Sequence, residues 1–437
     1  MSNTGQELYK RAKELIPGGA QLLSKRPEMF LPDQWPGYFS RVKGAEVWDL
    51  DGNRYIDMGN NGVGACVLGA ADPDVDAAVE KAIRAGAMST LMCPEEVELA
   101  ELLIELHPWA HMVRYGRGGG EVMAIAVRIA RAASGRDRVA FCGYHGWQDW
   151  YLAANLGTEK ALDGHLLAGL EPAGVPRGLQ GTALPFTYNR IQELKDIIER
   201  YPGEIGVIVM EPIRDRYPEN GFLEKVRALA DEIKAVLIFD EVSAGFRLCT
   251  GGAHLLLGVR PDLAVFAKAM SNGYPMGAVI GRREVMEAAQ KTFISSTYWT
   301  DRLGPTAALA TIRKHRDRDV PRHLNKLGER VLAGWREKGA RAGLEVEAGG
   351  IPPLAHFLIK GEDSLAAHTL FVKLMLEKGI LSARGFYPTF AHNDEHVDRY
   401  IEAMDEVFSR ITELREQGGI EEMVKGPLAH TGFQRLT

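Results

Sequence analysis

The stretch "DLAVFAKAMSNGYPMGAVIG" (residues 262–281) carries a single lysine, Lys268, directly after an apolar run and ahead of a glycine-rich turn. An ammonium group is among the groups least willing to leave water, so its place at the end of a buried strand calls for a chemical reason. Two earlier stretches share this form. "IGVIVMEP" (205–212) puts Glu211 after an apolar run, and "AVLIFDEV" (235–242) puts Asp240 after another. Glu211, Asp240 and Lys268 follow one another at separations of 29 and 28 residues, each close to one strand-helix-strand unit. In an open α/β sheet the carboxyl ends of neighbouring strands meet at one crevice, where ligands bind. A lone strand-end acid serves equally well as a helix cap or surface ion pair, and a lone lysine as a solvated charge. Three in register argue for a site.

Working outward, short apolar segments at 112–115, 139–142, 205–210, 236–239 and 263–267 alternate with amphipathic helical segments. That alternation predicts a mainly parallel sheet covered on both faces. Upstream, "GQELYKRAKELIPGGA" (5–20) reads as a helix stopped at Pro17, and "AEVWDLDGNRYIDM" (45–58) as a hairpin turning at Asp51, Gly52 and Asn53. Beyond Thr311 come long amphipathic helices, two strand-like pieces and a closing helix from Asp394. The expected organisation is an N-terminal arm (1–60) belonging to a small domain, a large α/β domain (61–312), and a C-terminal α+β segment (313–437).

The chain has 437 residues, 46% of them apolar and 25% charged, with a formal net charge of −6. That size supports more than one domain, and the acidic balance gives no attraction to nucleic acid or anionic membrane. No apolar run reaches the length of a membrane span. Four scattered cysteines without a CxxC pair, and no signal-like start, point to a cytoplasmic protein without disulfides or structural zinc. His107 and His111 have i,i+4 spacing, but Pro108 intervenes and the HExxH acid is missing, which argues against a metal site.

Two further features converge on the same sheet edge. "VRYGRGGGEV" (113–122) is a strand, a glycine turn and a helix start. Such a turn offers backbone amides to a phosphate, although a tight turn needing glycine reads the same way. "VAFCGYHGWQDWY" (139–151) ends a strand in Gly143-Tyr144-His145-Gly146 and brings an aromatic face. Phosphate cradle, aromatic face, strand-end acid and desolvated lysine together meet the needs of pyridoxal 5'-phosphate. Burial lowers the lysine pKa and makes its neutral, nucleophilic amine accessible.

"IFDEVSAGFRL" (238–248) and "GVRPDLAVFAKAMSNGYPMGAVIGRREVM" (258–286), with "LIPGGAQ", "GYHG", "AGVPRG" and "FAHNDEHVD", resemble the class III aminotransferases of fold type I. Within that class the chain is most similar to glutamate-1-semialdehyde aminomutase and related aminotransferases. The resemblance implies Lys268 as the Schiff-base lysine and Asp240 as the partner of the pyridine nitrogen. It also implies Val242 and Tyr144 on the two ring faces, with Gly118, Gly119 and Gly120 at the phosphate. Glu211 and His145 belong to the cofactor site. Thr297 matches a threonine that reaches the phosphate from a partner subunit, which implies a homodimer with shared active sites.

The implied reaction moves an amino group from an amino donor to a carbonyl acceptor, with Lys268 shuttling the proton. The alternative is an intramolecular aminomutase, with residues 156–180 as a lid or a passive loop. The substrate end departs from the family. The phosphate turn lacks a hydroxyl, "SNGYP" (271–275) replaces a glycine run, and Lys25, followed by Arg26, stands where the aminomutase has an arginine. Trp147 and Trp299, with Trp150 and Tyr151, either wall a roomy substrate pocket or pack ordinarily. A dinucleotide-binding dehydrogenase is a distant alternative, since the strand after the glycine turn ends without the expected ribose-binding acid.

Overall fold

The computed structural model describes residues 4–157, 160–165 and 168–433. The chain forms two compact units, one of Met1–Asp72 with Arg322–Thr437 and one of Pro73–Pro321. The sequence expectation set the divisions near residues 60 and 312. In the structure the segment after residue 60 stays with the first unit, where Gly44 and Ala70 form an isolated antiparallel bridge, and the helix Leu303–Asp317 runs unbroken through residue 312.

The Pro73–Pro321 unit is built on seven strands, numbered here along the chain. They are β1 (Met112–Gly116), β2 (Arg138–Cys142), β3 (Ala183–Pro185), β4 (Ile205–Met210), β5 (Val236–Asp240), β6 (Leu263–Phe266) and β7 (Gly277–Gly281). Their order in the sheet is β1-β7-β6-β5-β4-β2-β3. Strands β2 to β6 pair in parallel, and β7 runs antiparallel to both its neighbours.

Residues of β4 are buried on both faces, which is why the run reads as continuously apolar. Alternate side chains go to opposite layers. Val207 and Val209 join Val122, Ala126 and Ile129 of the helix Gly119–Ser134 in one core. Ile208 and Met210 join Phe222, Leu223 and Val226 of the helix Phe222–Glu232 in the other.

Register then delivers the site. Cys142 pairs with Met210, Met210 with Phe239, and Asp240 with Val265. The residues that follow these strands therefore emerge at one level of the sheet edge. Lys268 comes two residues beyond β6, at the start of a short 3-10 turn, Lys268–Ser271.

The other unit contains the expected hairpin, Glu46–Asp49 against Arg54–Asp57, extended by Phe39–Lys43 and by Ile380–Leu381. A second sheet joins Val346–Gly349, Ala355–Ile359 and Gly385–Phe386. The helices Ser364–Glu377 and Asp394–Gln417 close a core around Trp335, Phe357, Phe371, Tyr400 and Phe408. The closing helix starts at Asp394 because Asn393 caps it, its side chain accepting from the His396 amide at 2.9 Å.

Candidate active site

Asp240, 4% exposed, is held from two sides. The Val242 amide donates to Oδ1 at 3.0 Å, and His145 Nδ1 lies 2.8 Å from Oδ2. His145 is placed by Gly143 and Gly146, whose φ values of 118° and 109° turn the chain back over β2. Any side chain at Gly143 is strained, since its φ is in the left-handed region and a Cβ would lie 2.6 Å from Glu211 Oε2. Behind His145 stand Trp150 and Tyr151, 6% and 0% exposed, with the Tyr151 hydroxyl donating to Gly143 O at 3.1 Å. These two aromatics pack the wall that supports His145. Trp147 is 73% exposed.

Lys268 has φ of 48°, in the left-handed region that non-glycine residues avoid. Its Nζ donates to Ser243 Oγ at 2.9 Å. Burial pushes its ammonium down to about 8, the Arg214 charge acts in the same direction, and Asp240 and Glu211 oppose them. Glu211 is shifted upward by burial, reinforced by Asp240 and opposed by Arg214. It accepts from Arg214 Nη1 at 3.1 Å and from the Tyr144 amide at 3.3 Å. Burial also raises the Tyr144 phenol, which feels the charges of Arg214, Asp240 and Glu211. Lysine, two acids and tyrosine thus share one electrostatic neighbourhood.

The glycine turn opens the 16-residue helix Gly119–Ser134. Glu121 reaches back, its Oε2 accepting the amides of Arg117 at 2.6 Å and Gly118 at 3.2 Å. The Gly118 amide is therefore engaged within the turn. The amides of Gly119 and Gly120 take no acceptor among the described residues and lie at the positive end of the helix dipole, with the Gln148 side chain packed beside Gly120. A Cβ on Gly119 would lie 3.0 Å from Val242 Cγ1, so the turn abuts the segment that carries Asp240.

Thr297 is exposed in the 3-10 turn Thr297–Thr300, which also holds the half-buried Trp299. Arg117 ties this strap to the glycine turn, its Nε donating to Asp301 Oδ2 at 2.6 Å and Nη2 to Trp299 O at 2.9 Å. Lys25 ends the 3-10 turn Leu23–Lys25 in the other unit, where Arg26 lies over the Phe433 ring. Of the segment read as a lid, residues 158–159 and 166–167 lie outside the described residues.

His107 uses Nδ1 on Leu103 O and Nε2 on the Gly252 amide. Both ring nitrogens are thus committed to the backbone. The sequence reading passed over Arg214, Ser243 and Arg117. Arg117 and Ser243 stand within quoted motifs and Arg214 just beyond one, but their partners come from turns that no periodicity describes.

The family description Aminotransferase class-III matches residues 33–408. The chain is 35% identical over 354 residues, 79% of each protein, to the 3-aminobutyryl-CoA aminotransferase of Cloacimonas acidaminovorans. Among solved structures, the FumI protein of Sphingopyxis sp. MTA144 in its PLP internal aldimine form superposes with a TM-score of 0.86 at 25% identity, covering 95% of this chain and 98% of that one. A glutamate-1-semialdehyde aminomutase from Pseudomonas aeruginosa PAO1 superposes with a TM-score of 0.78 at 19% identity over 93% and 94% of the two chains, a likeness of fold alone. Membership of this family leaves no place for the dehydrogenase alternative. The chain belongs to the class III aminotransferases and is a pyridoxal-phosphate-dependent transaminase of fold type I.

Proposed function

We propose that this transaminase holds its cofactor in the crevice at the ends of β4, β5 and β6, with Lys268 Nζ as the covalent anchor. One observation carries the reading. The sheet edge brings an amine with depressed proton affinity together with a buried, doubly held carboxylate. The residues fit the group. The amides of Gly119 and Gly120 at the helix start suit its phosphate, and Asp240 suits a protonated ring nitrogen, kept in place by His145 and the Val242 amide. When bound, pyridoxal phosphate supplies an aldehyde carbon and a conjugated ring that takes up the electron pair left when a substrate C–H bond breaks.

The protein's own groups do the rest. Lys268 Nζ, neutral for a useful fraction of the time near pH 8, accepts the proton from the substrate carbon and returns it elsewhere. The Ser243 hydroxyl orients that amine, and Asp240 holds the proton on the ring nitrogen. Tyr144 and Val242 are assigned to the two ring faces. Transfer between two substrates is preferred to the mutase reaction because the 35% identical relative is an aminotransferase.

The test is Lys268→Ala. The purified variant should lose the visible absorption of the bound cofactor and all half-reaction with amines, yet keep the wild-type circular dichroism. Retention of the wild-type absorption spectrum would overturn the anchor assignment.

We also infer a homodimer acting in the cytoplasm. Leu91, Met92, Phe293 and Tyr298 are 73% exposed or more, on two segments joined by the Arg302 amide to Ala87 O and by the Arg302–Glu95 ion pair. Exposed apolar groups gathered beside Thr297 support a partner at that surface. Four free cysteines accord with a reducing compartment. Sedimentation at micromolar concentration checks the assembly, and a monomer would count against it.

A further inference from the structure

Beside the crevice the Pro73–Pro321 unit holds a cavity of about 350 Å³. Tyr144, Glu211 and Arg214 line one side, shared with the site above, and Tyr188, Arg190 and Arg216 line another. Three guanidinium groups thus meet two carboxylates, Glu211 and Asp215, in the described lining. His165, pushed down to about 4 by burial, adds no positive or negative charge near neutrality. Glu211 faces Arg214, and Arg190 has Glu193 at 3.9 Å, but Arg216 has no acidic partner among the described residues.

Arg214 and Arg216 alternate in "EPIRDRYPE" after β4, and the two differ in depth. Arg214 is half-buried against Glu211, whereas Arg216 is exposed. The Tyr188 hydroxyl, which donates to Pro212 O at 2.6 Å, feels the Arg216 charge and fixes that side of the cavity. A polar cavity that shares Tyr144, Glu211 and Arg214 with the site above, and that carries Arg216 without an acidic partner among the described residues, suits a planar or tetrahedral oxyanion held by guanidinium forks.

Resting on the Lys268 reading, we propose that Arg214 and Arg216 form a subsite for an anionic group, carboxylate or phosphate, at the far end of the substrate whose amine or carbonyl carbon lies toward Lys268. The cavity then selects substrates that carry an acid away from the reacting carbon.

The test compares three amines on the holoenzyme: 3-aminobutanoate, O-phosphoethanolamine and neutral 2-aminobutane. The readout is the concentration at which each half-saturates the loss of visible absorption. Wild type should half-saturate with at least one acidic amine at about tenfold lower concentration than with the neutral one. Which acidic amine shows the larger preference identifies carboxylate or phosphate. Arg216→Ala should shrink that preference about tenfold with a wild-type visible spectrum, and Arg214→Gln should shrink it too, there together with a shifted Lys268 inflection because Arg214 also faces Glu211. An unchanged preference in both variants, or none in wild type, overturns the subsite while the Lys268 reading stands. A wild-type protein with no visible absorption would instead remove the anchor reading and this subsite with it.

Discussion

His145 Nδ1 lies 2.8 Å from Asp240 Oδ2, and the imidazole side chain is fully buried while the carboxylate is 5% exposed. The second ring nitrogen, Nε2, is 3.2 Å from Cys142 O. A histidine fixed at both nitrogens therefore dictates which way the carboxylate points. His145→Ala frees Asp240 to rotate, and a hydrogen bond to a charged group is worth about 1.5–3 kcal/mol. Cofactor affinity, measured by equilibrium dialysis, should fall roughly tenfold to a hundredfold. His145→Gln should recover part of that loss, and equal losses in both variants would show that only packing matters.

Asp240→Asn keeps the shape of the side chain and removes its charge. The Val242 amide still has an acceptor, so the protein should fold and take up cofactor. The half-reaction rate should fall by about a hundredfold or more, since the ring nitrogen loses its charged partner. A variant within threefold of wild type would count against the role given to Asp240.

The depressed Lys268 sets a pH dependence with a definite sign. Burial and Arg214 disfavour the ammonium, so the neutral amine gains population as pH rises through about 8. The rate at which cofactor-free protein captures pyridoxal phosphate should climb about tenfold per pH unit below 8 and level off above. Arg214→Gln removes a lowering charge, and the inflection should move upward. An inflection left near the ordinary lysine value would contradict the burial argument.

Gly143→Ala tests the turn over β2. The new methyl would press on Glu211 Oε2 at 2.6 Å, on a backbone with φ of 118°. Together these should cost about 2–4 kcal/mol, read as a lower urea midpoint at unchanged slope. Loss of under about 0.5 kcal/mol would mean that the loop rearranges freely.

Acid should destabilise the fold through its buried histidines. His107, His315 and His392 are held down to about 4 and His368 to about 3, each chiefly by burial. Between pH 6.5 and 4 the unfolded chain binds protons that the folded chain refuses. Stability therefore falls as pH drops, by up to about 1.4 kcal/mol per pH unit for each group. Asp57, pushed up to about 6 by burial, works in the opposite sense over part of that window. Urea unfolding at pH 7.5, 6 and 5 should show a net decline.

The strand ends were legible because buried parallel strands are short, uniformly apolar runs, and any polar residue closing one stands out, as Glu211, Asp240 and Lys268 do. Strand β7 was not read. Its "GAVIG" begins and ends with glycine, which weakens the strand signal, and its direction depends on pairing that local pattern does not encode. Ser243 directly follows Val242 amid turn residues, and only the folded chain brings it to Lys268. Arg214 likewise reads as an ordinary surface charge until β4 ends beside Tyr144. The Gly118 amide needed the fold for another reason, since Glu121 competes for it from one helical turn away.

Arg117 precedes the glycine turn by one residue, yet its guanidinium is spent on Asp301 and Trp299. Because one side chain fastens the exposed strap to the start of the phosphate cradle, the two share a mechanical fate. In the proposed homodimer, a neighbour that clamps the strap would stiffen the turn, and a strap torn loose would slacken it. Dilution or a surface mutation near Tyr298 would thereby act at a distance on how tightly the cofactor is retained.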